Sequence, residues 1–168
     1  MHYSPRMRSR PSPAPAPAAE WQLLDRQLCF ALYSTSLAMT RVYKPLLEPL
    51  GLTYPQYLAL LVLWERDGVG VGELGKRLYL DSGTLTPLLK RLEASGWVRR
   101  ERDPADERRV VVSLTAEGRA LKRRARDVPG QLLAASGCGS DELAALMQQL
   151  QALRAALDDS TRAAAAAH

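Results

Sequence analysis

At 168 residues, 46% of them hydrophobic, the chain has the length and apolar content for one compact domain or one subunit of an oligomer, and not for two domains. It has no apolar run of about 18 residues and no basic, apolar and small-residue signal pattern at its start, so the cytoplasm is the expected compartment and no membrane partner is expected. Two cysteines exclude a disulfide framework, and the two histidines, His2 and His168, stand at opposite ends, which leaves a His-based metal site, a Cys–His or Ser–His–Asp catalytic group and any cofactor without support.

Residues 1–19 are rich in Arg, Pro and Ala without apolar periodicity and read as a disordered tail. From Trp21 to about Leu47 one long helix is expected, with Leu24, Leu28, Leu32, Leu46 and Leu47 marking apolar turns and Cys29 in its second or third turn. Taken alone, Cys29 among Leu28, Phe30 and Leu32 fits a small buried hydrophobe as readily as a reagent, because a reactive thiolate needs nearby donors or positive charge. Tyr43 follows it by 14 residues, about 21 Å along a straight helix, too far for contact within one helix. If Tyr43 donates to the Cys29 sulfur it must come from a second copy, and the geometry then requires a dimer.

A second helix opens at Tyr54, where Thr53 and Gln56 form a capping box, and runs through Leu58, Leu60, Leu61 and Leu63 to Asp67-Gly68. Val71–Leu80 is expected as the first helix of a helix-turn-helix, with Lys76 and Arg77 able to touch phosphates. The next helix carries Leu85, Leu88, Leu89 and Leu92 at i, i+3, i+4 and i+7, one face that must be buried. Its other side presents Ser82, Thr84, Thr86, Lys90 and Arg91, hydroxyls and cations suited to base edges and phosphates in a major groove. Asp81 or Ser82 can cap it and Gly96 stop it. Pro87 requires either a start near Gly83 or Thr84 or a bend.

Beyond Gly96, β-branched runs flank Asp103-Pro104-Ala105-Asp106-Glu107, which predicts a two-stranded ribbon with a charged tip, a wing. Residues 90–126 hold twelve Lys or Arg against six Asp or Glu, a surplus of six in a chain of net charge +5, so the positive charge is concentrated on helix and ribbon. A solvated charged face would explain the surplus alone; helix, turn, helix and basic ribbon together point to a DNA backbone. Thr115 caps a basic helix that Pro129-Gly130 kinks or interrupts. Ser140, Asp141 and Glu142 then open a last helix with an apolar stripe of Leu143, Leu146, Met147, Leu150, Leu153 and Leu157. Cys138, between Gly137 and Gly139, has little packing value and is expected to be accessible, either as a resolving thiol or as a tolerated exposed cysteine.

The stretch LDSGTLTPLLKRLEASGWVRRERDPADERRVVVSLTAEG resembles the winged helix-turn-helix of the MarR family of bacterial regulators, in its DERR wing tip and the LTAEG that follows. Residues 24–52 and 127–136 look like the organic-hydroperoxide-sensing OhrR branch, and the resemblance covers about 21–158. It implies a mainly α fold with a small β-wing, dimerised through its N- and C-terminal helices. Residues 20–52 would serve dimerisation and redox sensing, 53–118 DNA reading and 119–160 dimerisation, with 161–168 a flexible tail. In that family a reactive cysteine is followed by two tyrosines at the spacings of Cys29, Tyr43 and Tyr54, and some members carry a second cysteine where Cys138 stands. Arg108 matches the family's minor-groove arginine, with Asp106 as the acid that orients it. The implied protein is not an enzyme: it is a homodimeric repressor that binds a pseudo-palindromic operator when reduced and releases it when an organic hydroperoxide oxidises Cys29, through a disulfide with Cys138. The alternatives are a MarR-type regulator of a small phenolic ligand with Cys29 as core, and a thiol peroxidase using the same two cysteines.

Overall fold

The computed structural model describes residues 22–166; the expected tail at 1–19, the helix start at Trp21 and the end of the expected flexible tail, 167–168, lie outside the described residues. The chain divides into two compact units at Met39/Thr40. In the first, a 3-10 turn over Leu24–Arg26 precedes helix α1, Leu28–Leu47, whose later half belongs to the second unit. Gln27 is extended, so α1 begins later than the periodicity suggests, and Cys29 falls in its first turn rather than its second or third. Leu28, Leu32, Tyr33 and Leu37 on this part of α1 are all exposed.

The second unit holds the core. Helix α2, Tyr54–Glu65, starts at the expected capping box: Gln56 Oε1 accepts from the Thr53 N–H at 2.8 Å while the Thr53 side chain takes the N–H of Gln56. Reciprocal capping satisfies two otherwise orphaned donors. Tyr57, Leu60 and Leu63 are buried on it against Leu74 of helix α3, Val71–Leu78, and the leucine face of helix α4, Ser82–Ala94. Leu85, Leu88, Leu89 and Leu92 are all buried, as their spacing requires. Asp81 is the N-cap, its Oδ1 accepting from the Thr84 N–H at 2.9 Å, and α4 starts at Ser82 and continues through Pro87. Between α3 and α4 the chain turns on Tyr79, the one non-glycine residue with positive φ (55°) among the described residues; the guanidinium of Arg154 stacks 4.7 Å above its ring.

The wing is a three-stranded antiparallel sheet in the order β1-β3-β2, not the expected two-stranded ribbon. Strand β1 is only Val69–Gly70, paired with Val112 and Val111, and two residues carry no readable alternation. Strands β2, Val98–Asp103, and β3, Asp106–Leu114, pair from Val98↔Leu114 out to Asp103↔Asp106, so only Pro104 and Ala105 form the tip. Val112 and Leu114 turn inward to the core.

Helix α5, Ala116–Arg124, capped by Thr115, ends before Pro129, which sits in the first turn of a separate helix α6, Val128–Ser136. Proline is tolerated there because the first helical N–H groups lack partners anyway, so Pro129 starts a helix rather than kinking one. Helix α7, Ser140–Ala166, includes residues 161–166 of the expected flexible tail. No single helix among the described residues is long and apolar enough to cross a membrane.

Candidate nucleic-acid interface and thiol site

Ser82, Thr84, Thr86, Lys90 and Arg91 are all exposed on α4, on the side away from its buried leucines. The cap has a second consequence: Thr84 Oγ1 donates to Asp81 Oδ2 at 3.1 Å, which fixes that hydroxyl at the start of the helix. These two bonds from Thr84, backbone first, hold the Asp81 carboxyl below the usual carboxylate range. Thr86, two positions further, has no such engagement among the described residues.

The basic surplus separates into cations that build the fold and cations that remain free. Arg119 donates to Asp67 Oδ2 at 3.0 Å and to the Leu114 carbonyl, Lys122 to the Trp64 carbonyl at 2.9 Å, and Arg124 to the Pro49 carbonyl at 3.0 Å. Arg100 is bonded twice to Glu93, and that guanidinium lowers the Glu93 carboxyl from its ordinary value. Arg77 is taken by Glu65 at 2.6 Å. Lys76, Lys90, Arg91, Arg102, Arg108 and Arg123 make no ion pair among the described residues, and they are among the cations left for an anionic partner. The sequence alone offered no way to divide the two groups.

At the wing tip, Asp106 Oδ1 accepts from the backbone N–H of Arg108 at 3.1 Å. The expected acid–guanidinium pairing of Asp106 with Arg108 is therefore replaced by an Asx-type turn, which shapes the tip and leaves the Arg108 side chain unpaired. Asp103 does the same on the other arm, accepting from the Ala105 N–H at 2.9 Å.

Both thiols are exposed. In the first unit Cys29 stands on α1 one turn before Tyr33, and side chains at i and i+4 are neighbours on a helix surface. Tyr33 is 62% exposed and was not singled out by the sequence reading, although its spacing from Cys29 was readable. In the second unit the structure brings Tyr43 and Tyr54 together, ring centroids 4.6 Å apart, with Tyr57 5.9 Å from Tyr43. Burial, then the neighbouring Tyr54 and Tyr57 hydroxyls, pushes the Tyr43 phenol up to about 12, and burial raises Tyr54 as well. Both stay protonated at physiological pH and so carry an O–H that can donate. No hydrogen bond from either hydroxyl is made among the described residues. Beside Tyr54 opens a cavity of about 540 Å³ with Leu47, Leu52 and Pro55 in its apolar lining and Arg41 and Lys44 as its cations. Cys138 lies in the break between α6 and α7, after Gly137 at φ 67°, its N–H donating to Ser136 Oγ at 3.2 Å and its thiol facing the Ser136 carbonyl at 3.6 Å.

Comparison with known proteins places this architecture. The family described as transcriptional regulator SarA/Rot matches residues 41–125. An organic hydroperoxide resistance transcriptional regulator of Bacillus subtilis is 52% identical over 130 residues, 77% of this chain and 88% of that protein. Among solved structures, AbfR of Staphylococcus epidermidis, reduced and bound to DNA, is 37% identical with a TM-score of 0.69, covering 83% of this chain and 97% of AbfR. Disulfide-formed AbfR matches at 39% identity and a TM-score of 0.54, over 80% of this chain and 95% of AbfR.

Proposed function

The chain belongs to the MarR-type family of winged helix-turn-helix transcriptional regulators, in its organic-hydroperoxide-sensing OhrR branch, and on that premise we propose that it is a cytoplasmic, homodimeric repressor that holds operator DNA when reduced and releases it on oxidation of Cys29. The observation that carries this reading is the exposure of both thiols on a chain whose relatives include a regulator named for organic hydroperoxide resistance and one solved both reduced on DNA and disulfide-formed.

The proposed division of labour gives residues 53–118 to DNA and residues 20–52 and 119–160 to the dimer. Helix α7 has no buried residue, with Leu146, Met147, Leu150 and Leu157 exposed, and α1 exposes Leu28, Leu32 and Leu37. Apolar stripes of this size call for a partner, and a second copy supplies the same stripes in return. In the dimer, Tyr43 and Tyr54 of one subunit donate to the Cys29 sulfur of the other. Ser82, Thr84, Thr86, Lys90 and Arg91 enter the major groove of a pseudo-palindromic operator, and Arg108, on a tip shaped by Asp106, enters the minor groove.

The switch runs in two balanced steps. The Cys29 thiolate attacks the distal oxygen of an organic hydroperoxide; the O–O bond breaks, sulfur gains the oxygen as a sulfenic acid, and the departing alkoxide takes a proton to leave as the alcohol. The Cys138 thiol then attacks the sulfenic sulfur, forming the disulfide and releasing water. A disulfide requires Cα atoms about 4.4 to 6.8 Å apart, so its closure, favoured here between subunits, moves backbone and changes the spacing of the two reading heads.

Operator duplexes selected from a random-sequence pool by the reduced protein provide the test. Cumene hydroperoxide should release wild type from them and leave Cys29→Ser bound; equal release of both forms would remove Cys29 from the switch.

A further inference from the structure

When a helix occupies a major groove and a wing the adjacent minor groove, the strand between the two grooves must pass over whatever separates helix from wing. Here that place is a cleft of about 640 Å³, with Thr86 of α4, Arg108 and Arg109 of β3, Gly70 just before α3, Glu73 in its first turn and Lys76 in its last turn in the lining. Its charges are not equal. Glu73 is bonded to Arg66 at 2.6 Å, and Arg100, which also reaches the cleft, is bonded to Glu93, so these two are neutralised. Lys76 and Arg108 have no ion-pair partner among the described residues, and Arg109 makes only a long ion pair with Asp103, at 3.8 Å and outside hydrogen-bond distance.

We propose that this cleft is a phosphate clamp, in which Lys76 from α3 and Arg109 from the wing take phosphates of the DNA strand that runs between the groove read by α4 and the groove read by Arg108. The proposal rests on the DNA-binding reading above, adds Arg109 to it, and separates Lys76 from Arg77 as the phosphate contact of α3. Arg109 lies against the backbone just before α3: a Cβ built on Gly70 would stand 3.3 Å from its Nη2. Val69 and Gly70 pair with Val112 and Val111, which ties α3 and the wing into one rigid piece and holds Lys76 and Arg109 on either side of the same strand path. Arg77, one residue from Lys76, is bonded to Glu65 and lies outside the cleft, which makes it the internal control.

Phosphate contacts do not depend on sequence, so the test uses a fluorescein-labelled mixed-sequence duplex and the full reduced chain, with binding followed by anisotropy from about 50 to 200 mM KCl. Each neutralised phosphate contributes about 0.9 to the slope of log K against log salt. Lys76→Ala and Arg109→Ala should each make the slope shallower by about one, and the double variant by about two. Arg109→Lys should keep the slope, because the charge is retained, and Arg77→Ala should leave it unchanged. Circular dichroism identical to wild type accompanies the expected result. Slopes for Lys76→Ala and Arg109→Ala equal to a salt-dependent wild type would overturn the clamp and leave the regulator standing; a wild type with no salt-dependent DNA binding would overturn both. Inorganic phosphate at constant ionic strength that displaces DNA from wild type but not from the double variant would assign the cleft to a free anion instead, and overturn the proposal.

Discussion

Gly118, the glycine of LTAEG, is where one added methyl group should cost the most. A Cβ there would stand 2.0 Å from the carbonyl oxygen of Trp97 and 3.0 Å from its carbon, with Leu114 Cδ2 at 3.3 Å. Carbon-to-oxygen approaches settle near about 3.3 Å, so α5 or the root of the wing must move by roughly 1.3 Å. Neither is free to do so. The Thr115 N–H donates to the Trp97 carbonyl at 3.1 Å, the Thr115 hydroxyl to the Gly96 carbonyl at 2.6 Å, and Trp64 Nε1 to the Gly118 carbonyl at 2.9 Å. Overpacking costs about 1 to 3 kcal/mol and each buried donor that loses its partner about 1 to 3 kcal/mol. Alanine returns about 1 kcal/mol in helix propensity. With one such donor lost, Gly118→Ala should therefore destabilise the protein by about 1 to 5 kcal/mol, against the roughly 5 to 15 kcal/mol typical of a domain. Urea unfolding followed by circular dichroism, at fixed protomer concentration, should show a lower midpoint with an unchanged slope. Because the same junction roots β2 and β3, DNA affinity should fall with it. A midpoint equal to or above wild type would refute the account of why glycine stands here.

Replacing Tyr43 and Tyr54 together by Phe removes two hydroxyl donors and keeps the ring packing. Oxidation of Cys29 by hydroperoxide in stopped flow should slow by roughly tenfold or more, the scale of a charge-assisted hydrogen bond, while the reduced form still binds DNA; an unchanged rate would take the tyrosines out of the mechanism. Oxidised wild type should run as a covalent dimer on a non-reducing gel. Cys138→Ser should not, and mass spectrometry should find it over-oxidised to sulfinic acid at Cys29; full and reversible switching by that variant without added thiol would make Cys138 a bystander. Asp81, with its carboxyl held below its ordinary range, contributes stability that is present above the unfolded value of about 4 and is lost as pH falls through the lower folded value. The stability difference between wild type and Asp81→Asn should accordingly depend on pH only in that acidic window, and a difference that is constant down to the acid limit would contradict the capping geometry.

What was readable from the sequence is what depends on residues within a turn or two of each other. The capping box of Thr53 and Gln56, a cap at the start of α4 and the buried leucine face of that helix are set by local hydrogen bonding and by the 3.6-residue period of a helix. The exposed set on α4 follows from the same period, because burying one face decides what the other presents. Tertiary structure decided the rest. Strand β1 exists only because Val69 and Gly70 meet Val112 and Val111, more than forty residues away. Tyr43 and Tyr54 became a tilted, hard-to-ionise ring pair only when α1 and α2 packed. The arginines are the clearest case. In the sequence Arg77, Arg108 and Arg119 are equivalent charges, yet Arg77 is spent on Glu65 and Arg119 on Asp67, while Arg108 remains free. A cation's availability to DNA is set by whether the fold brings a carboxylate or carbonyl within about 3 Å of it, and that distance is a property of long-range packing that no local pattern encodes.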